Sequence, residues 1–222
     1  MKVCTDACLF GAWLVDCLKK SDSKDISKAL DIGTGTGLLS LMIAQQMDLQ
    51  IEAIEIDGNA FQQCNENVKA SNWEANIKTI HSSMQEFIPK QLYDFIFSNP
   101  PFYEQDLKSS NQAKNLALHS TALKLEELVT FIAHHLHENG IAGLLIPYSR
   151  LIQLQSLLNE KKLFTNKLTL VKQTTKHDYF RAMILFSKKE SNKDTNEICI
   201  TDENRIYTST FNELLNDYYL DK

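Results

Sequence analysis

Leu30-Asp31-Ile32-Gly33-Thr34-Gly35-Thr36-Gly37-Leu38-Leu39 decides the fold of this 222-residue chain. Apolar residues run up to Asp31, three glycines alternate, and a helical pattern begins at Leu38. That order is strand, tight turn, helix. Glycine admits positive φ and lets a ligand approach the backbone closely. The helix behind the turn presents free N–H groups and the positive end of its dipole. The spacing is Gly-x-Gly-x-Gly, not the Gly-x-Gly-x-x-Gly of dinucleotide folds. Asp31 at the strand end repels a pyrophosphate and welcomes a cationic amino group. S-adenosylmethionine (SAM) carries an ammonium and a carboxylate and no phosphate, so it is the ligand these residues predict.

The next stretch agrees. Ile51-Glu52-Ala53-Ile54-Glu55-Ile56-Asp57 alternates apolar and acidic residues and then meets Gly58. An acid at the end of this strand is placed to accept both ribose hydroxyls. Glu55 is the first choice for that role, with Asp57 second.

Composition bounds the rest. Hydrophobic residues make up 43% of the chain, enough for one domain with a full core. No apolar run is long enough to span a bilayer, and Asp6 interrupts the short apolar stretch at the N-terminus, which argues against a signal peptide. The five cysteines form no Cys-x-x-Cys pair and read as free cytosolic thiols, so a cytoplasmic protein is expected. Cys4 and Cys8 stand one helical turn apart, but no suitably spaced His or acid completes a metal set, and no metal is expected. Net charge is −5, yet residues 161–189 hold eight basic residues and one acid, and the segment after 189 holds three basic and eight acidic. The middle block reads either as a polyanion footprint or as ordinary edge-strand charge.

Periodicity predicts a helix over Thr5–Leu18, then alternating elements: strand Lys28–Asp31, helix Leu38–Met47, strand Ile51–Ile56, helix Ala60–Ala70, and strands Ile77–His81 and Tyr93–Phe97. A helix over Leu125–Leu136 follows, then strand Ile141–Pro147 behind an Asn139-Gly140 stop, and a helix over Arg150–Asn159. Lys167–Gln173 and Arg181–Ser187 read as an antiparallel pair, with a short strand Ile198–Ile200 and a helix from about Ser209 to Tyr218 at the end. The implied fold is α/β: a mostly parallel seven-stranded sheet, helices on both faces, and an antiparallel pair at one edge. Residues 104–121 lack periodicity and read as a substrate-side loop.

The second motif, Phe97-Ser98-Asn99-Pro100-Pro101-Phe102, closes the fourth strand. In open α/β sheets the ligand lies beyond the carboxyl ends of the strands, and this strand neighbours the first. The prolines fix φ and stiffen the turn. The Asn99 side-chain oxygen and the Pro100 carbonyl are then two fixed acceptors, suited to one NH2 group. Accepting from both N–H bonds aims the nitrogen lone pair and stabilises positive charge developing on it. Phe102 can stack on the planar group carrying that nitrogen.

Asp31-Ile32-Gly33-Thr34-Gly35-Thr36-Gly37 resembles the first SAM motif of class I, Rossmann-like methyltransferases. Asn99-Pro100-Pro101-Phe102 resembles the (Asn/Asp/Ser)-Pro-Pro-(Tyr/Phe) motif of those that methylate planar nitrogens. Lys2-Val3-Cys4-Thr5-Asp6, Leu9-Phe10-Gly11-Ala12-Trp13, Asn72-Trp73 and Tyr207 with Tyr218-Tyr219-Leu220 are similar to the bacterial tRNA1(Val) (adenine(37)-N6)-methyltransferase family over nearly the whole chain. The resemblance implies one methyltransferase domain over 1–222, with an N-terminal helix in 1–20 and a strand–helix extension in 195–222. It implies a cofactor set of Thr5, Asp31, Gly33, Gly35, Gly37, Glu55, Ile56, Ser83, Met84 and Asn99. It also implies a catalytic set of Asn99, Pro100, Pro101 and Phe102, and as partner the anticodon arm of a tRNA. Lys172, Lys176, Lys108 and Lys114 are the candidate RNA contacts. Three departures stand out. Met1 falls inside the N-terminal motif, so an upstream segment is expected to be missing. Ser83 replaces an acid that often meets the cofactor adenine. Phe102 replaces the commoner Tyr. Competing readings are a glutamine N5 methyltransferase acting on a release factor, a guanine N2 methyltransferase acting on ribosomal RNA, and a SAM-binding module with no activity.

Overall fold

The computed structural model describes residues 4–21, 26–101 and 124–219. In chain order the elements are α1 (Thr5–Lys20), β1 (Lys28–Ile32), α2 (Leu38–Gln46), β2 (Gln50–Glu55), α3 (Gly58–Lys69), β3 (Ile77–His81), β4 (Tyr93–Ser98), α4 (Leu125–His135), β5 (Leu136–Pro147), α5 (Leu151–Glu160), β6 (Phe164–Lys172), β7 (Tyr179–Ser187), β8 (Asp194–Cys199) and α6 (Ser209–Leu215). The strands form one sheet in the order β3-β2-β1-β4-β5-β7-β6-β8. From β3 to β5 every pairing is parallel, and β7 alone runs against its neighbours β5 and β6. The order reverses between β1 and β4, the switch point at which ligands bind in such sheets.

The central strands β1 and β4 are buried on both faces, which is why their sequences read as apolar runs. Ala29, Phe95 and Phe97 face one layer, with α1, α2 and α6; Leu30, Ile32 and Ile96 face the other, with α4 and α5. Eleven of the sixteen residues of α1 are buried, so this helix is enclosed rather than amphipathic. Close approach makes that possible: a Cβ added to Gly143 would come within 2.5 Å of Leu14 Cδ2, and one on Gly11 within 2.8 Å of Met42 Sδ.

Two expectations need correction. The sheet has eight strands, not seven, because the segment around Ile198 extends back to Asp194 and pairs in parallel with β6 as the edge strand. Asp194, Thr195, Asn196 and Glu197 are all exposed, and only Ile198 turns a buried side chain inward. Backbone pairing and the charges of β6 hold the strand, and neither leaves an apolar alternation to read. The Asn139-Gly140 pair is not a stop. β5 begins at Leu136 directly after α4, and its register against β4 shifts between Tyr93 and Phe95. A Cβ at Gly140 would meet the carbonyl oxygens of Asp94 and His137 at 3.0 Å, so glycine serves close backbone passage there.

A buried polar chain joins the layers. Trp13 Nε1 donates to Thr169 Oγ1 at 3.0 Å, and the Thr169 hydroxyl donates to Asn196 Oδ1 of β8. Thr169→Val removes the acceptor and leaves a buried indole N–H unpaired. The expected cost is about 1–3 kcal/mol of unfolding free energy, read as a lower urea midpoint with an unchanged slope.

Candidate active site

Gly33, Gly35 and Gly37 have φ of 70°, 61° and 86°, a region in which side chains other than glycine's are strained. The amides of Gly33 and Thr34 both donate to the Ile54 carbonyl, at 2.9 and 3.0 Å, which locks the turn onto β2. The two ends of the loop face different surroundings. A Cβ on Gly37 would sit 2.9 Å from Cys64 Sγ of α3, whereas one on Gly33 meets nothing within 4 Å. Cys64 is therefore packing, and burial pushes its thiol up to about 12.

Asp31 is fully buried beneath this open side. Its Oδ2 accepts from Thr34 Oγ1 and Ser40 Oγ, both at 2.7 Å. Its Oδ1 is buried and has no hydrogen-bond partner among the described residues. Burial pushes the Asp31 carboxyl up to about 6; the two hydroxyls oppose the shift, and the charge of Glu55 adds to it. Glu55 is buried at the end of β2. One of its oxygens accepts from Gly35 N and the other from Asp57 N, each at 2.8 Å. Each carboxylate oxygen retains a lone pair for a hydroxyl. The Asp57 side chain caps α3 by accepting from Ala60 N at 2.8 Å, which leaves Glu55 as the acid facing the loop.

β4 ends beside this loop. β1 and β4 are in register through Asp31↔Phe97, and one residue further on Ser98 Oγ donates to the Ile32 carbonyl at 2.7 Å. Asn99 is half-buried, Pro100 buried and Pro101 exposed. Phe102, Lys108 and Lys114 lie outside the described residues, as does the 104–121 loop.

The other expected contacts are less uniform. Ile56 is 53% exposed just past Glu55, an apolar wall at the sheet's edge. Ser83 is engaged in its own turn: its hydroxyl donates to Glu86 Oε2 at 2.9 Å and accepts from Glu86 N at 3.1 Å. Met84 packs in the core with Leu30, Ile32, Ile54 and Ile96. Thr5 is exposed in the first turn of α1. That turn is tied to the carboxyl edge by Arg181 Nε, which donates to Asp6 Oδ2 at 2.8 Å.

Lys172 and Lys176 do not stand as free charges. Lys167 pairs with Asp194 at 3.0 Å, Lys172 with Glu197 at 3.4 Å and Lys176 with Glu203 at 2.8 Å. The acidic segment after residue 189 folds back along β6 and pairs with three of the block's eight basic residues. Sequence reasoning missed Thr34 and Ser40, whose hydroxyls hold Asp31, and Ser98, which joins the two motifs. Their spacing from Asp31 and Asn99 was visible, but small hydroxyl residues are too common to single out.

The residues fit SAM. An orphaned buried carboxylate oxygen suits an ammonium, and the space over Gly33 admits a ligand against the backbone. Sheet order, glycine loop and acid at the end of β2 together define a Rossmann-like class I methyltransferase. The family model described as methyltransferase small domain matches residues 10–179, and the chain belongs to that family. Curated relatives named tRNA1(Val) (adenine(37)-N6)-methyltransferase include one from Dyadobacter fermentans, 39% identical, and one from Christiangramia forsetii, 37% identical; each alignment spans 99% of this chain and 91% of the relative. Among solved structures, a predicted O-methyltransferase of Agrobacterium tumefaciens superposes with a TM-score of 0.70 over 95% of both chains at 12% identity, a likeness of fold alone.

Gly35→Val is expected to abolish SAM binding in calorimetry, because a β-branched residue is strained at a φ of 61° and deforms the loop. Asp31 gives a pH signature. Its folded value of about 6 lies above the ordinary 3.8. Between those values the native state holds more protons than the unfolded one, so the Asp31 contribution to stability falls as pH rises. Above about pH 6 the penalty is complete, on the order of 3 kcal/mol. Asp31→Asn is expected to raise the melting temperature of the ligand-free protein at pH 7.5 while weakening SAM binding. In the wild type, SAM affinity is expected to fall as pH drops below about 6, since a proton then competes with the ligand's ammonium.

Proposed function

We propose that the chain transfers a methyl group from SAM to the exocyclic N6 of an adenine in tRNA, position 37 of tRNA1(Val). The observation that carries the reading is the junction of the two motifs. Ser98 holds the end of β4 against Ile32, so the Asn99-Pro100 acceptors stand beside the open glycine loop. The names of the relatives support the choice of nucleobase and tRNA.

When bound, SAM would supply a sulfonium-activated methyl group: the nitrogen lone pair would bond to the methyl carbon as the C–S bond breaks and the neutral thioether S-adenosylhomocysteine leaves. The chain's own residues do the rest. The unpartnered carboxylate oxygen of Asp31 would hold the ammonium, Glu55 would accept from the ribose hydroxyls, and Ile56 would cover an adenine face. Asn99 Oδ1 and the Pro100 carbonyl accept the two N–H bonds of the substrate N6. That contact turns the lone pair toward the methyl group and stabilises the positive charge that grows on nitrogen. Rate comes from alignment, and the surplus proton leaves nitrogen after transfer without a dedicated base. Phe102 stacks on the extruded adenine. The site of action in this reading is the cytoplasm and the docking partner the anticodon arm, in line with the tRNA named for the relatives.

The test is mass spectrometry of nucleosides from unmodified tRNA incubated with protein and SAM. N6-methyladenosine is expected. Methyl transfer to glutamine or to guanine N2 instead would overturn the assignment. Asn99→Ala is expected to lower kcat by roughly 10²–10³ while leaving the SAM Kd unchanged, the range for losing one preorganised polar group at a developing charge. A loss of threefold or less would remove Asn99 from the role.

A further inference from the structure

We propose that Tyr148 and Tyr179 form a stacking platform for a nucleobase that flanks the methylated adenine. The inference rests on the reading that the substrate is a nucleic acid.

Position comes first. β4 and β5 are parallel and in register through Ser98↔Leu144. β5 ends at Pro147, and Tyr148 follows at once. Tyr148 therefore lies on the same carboxyl edge as Asn99, three residues further along the neighbouring strand, a span on the order of 10 Å. β7 starts at Tyr179 on this edge, because it runs against β5 with Arg181 opposite Pro147.

The construction comes second. Tyr148 is 40% exposed and outside both core clusters. Its ring leans on that of Tyr179, with centroids 5.2 Å apart and planes at 50°. Tyr179 is held from two sides: its hydroxyl donates to Glu197 Oε2 at 2.5 Å, and Lys172 Nζ lies 4.4 Å from its ring centroid. Lys172 in turn pairs with Glu197. A partly exposed aromatic ring braced by a second, anchored ring offers a rigid π face at little entropic cost on binding.

Charge comes third. A chain of net charge −5 is a poor polyanion binder, and the lysines nearest this edge are paired with acids. Stacking needs no net charge and accepts any base, because each has a π face. Lys172 thus serves the substrate by fixing Tyr179, not as a point contact to phosphate.

The test uses the full chain, SAM and an unmodified anticodon stem-loop RNA, with KM, kcat, salt dependence and SAM Kd measured for Tyr148→Ala, Tyr148→Leu and Tyr148→Phe. Tyr148→Ala is expected to raise the KM for RNA about tenfold. The salt slope and the SAM Kd should not move. Tyr148→Leu should resemble the alanine variant, and Tyr148→Phe should stay within about twofold of wild type. Because Phe keeps the ring, it also controls for misfolding. A KM for Tyr148→Ala within twofold of wild type overturns the platform, as does full rescue by Leu or a flattened salt slope. If the wild type methylates no RNA adenine, the functional reading fails; if it does and Tyr148→Ala matches it, the platform alone fails.

Discussion

Asp31 and Glu55 are two buried carboxylates at the head of the sheet, neither in an ion pair among the described residues, and the glycine loop hangs on both. Glu55 holds the loop from above through Gly35 N, and Asp31 holds its flank and the start of α2 through Thr34 and Ser40. Burial raises the cost of charging Asp31, and the charge of Glu55 adds to it. Such a pair is poor engineering for a ligand-free protein. It becomes favourable when a cation enters. The loop is thus held in shape by groups whose charge a bound ammonium would offset, so binding strength and the instability of the empty site share one source.

The rest of the carboxyl edge is arranged around that loop by short, buried ties. Cys64 presses α3 against Gly37, and Asn67 Nδ2 donates to the Thr36 carbonyl at 2.9 Å. Ser98 joins β4 to β1, and Arg181 pulls the first turn of α1 to the same edge. These ties join elements far apart in sequence. They fix the relation of the two motifs, and group transfer is sensitive to such placement, since an error of about 1 Å is costly. α1 is enclosed, with Leu14 packed over Gly143 and Gly11 against Met42.

What could be read from the chain follows from where free energy is concentrated. β1, its loop and β4 were legible because fully buried parallel strands must be apolar and a turn with three positive φ values must be glycine. Glu55 was legible because an acid ending an apolar strand demands a reason. β8 was not, since an edge strand held by backbone bonds and ion pairs needs no apolar face. The start of β5 was hidden by Asn139-Gly140, which signals a turn locally but here serves close passage of backbones. The ties through Ser40, Ser98 and Arg181 depend on tertiary distance, and no spacing rule along the chain reports them. Ser83 and Met84 followed from resemblance, and the structure gives Ser83 a turn to cap and Met84 a place in the core.

The basic block carries a wider lesson about charge. Eight basic residues against one acid over 161–189 describe a segment. A partner meets a surface. The chain continues into an acidic stretch that returns as β8 alongside β6, so Lys167, Lys172 and Lys176 each find a carboxylate within 3.4 Å. Adjacent blocks of opposite sign, separated by one hairpin and one short link, are themselves a pairing signal. β8 covers the β6 edge, and its exposed Asp194 and Glu197 discourage a further strand from adding outside it. An edge protected in this way cannot also be a strong phosphate rail. If RNA docks on this face, shape and stacking must supply what charge does not, and exposed aromatics at the carboxyl edge matter more than the count of lysines behind them.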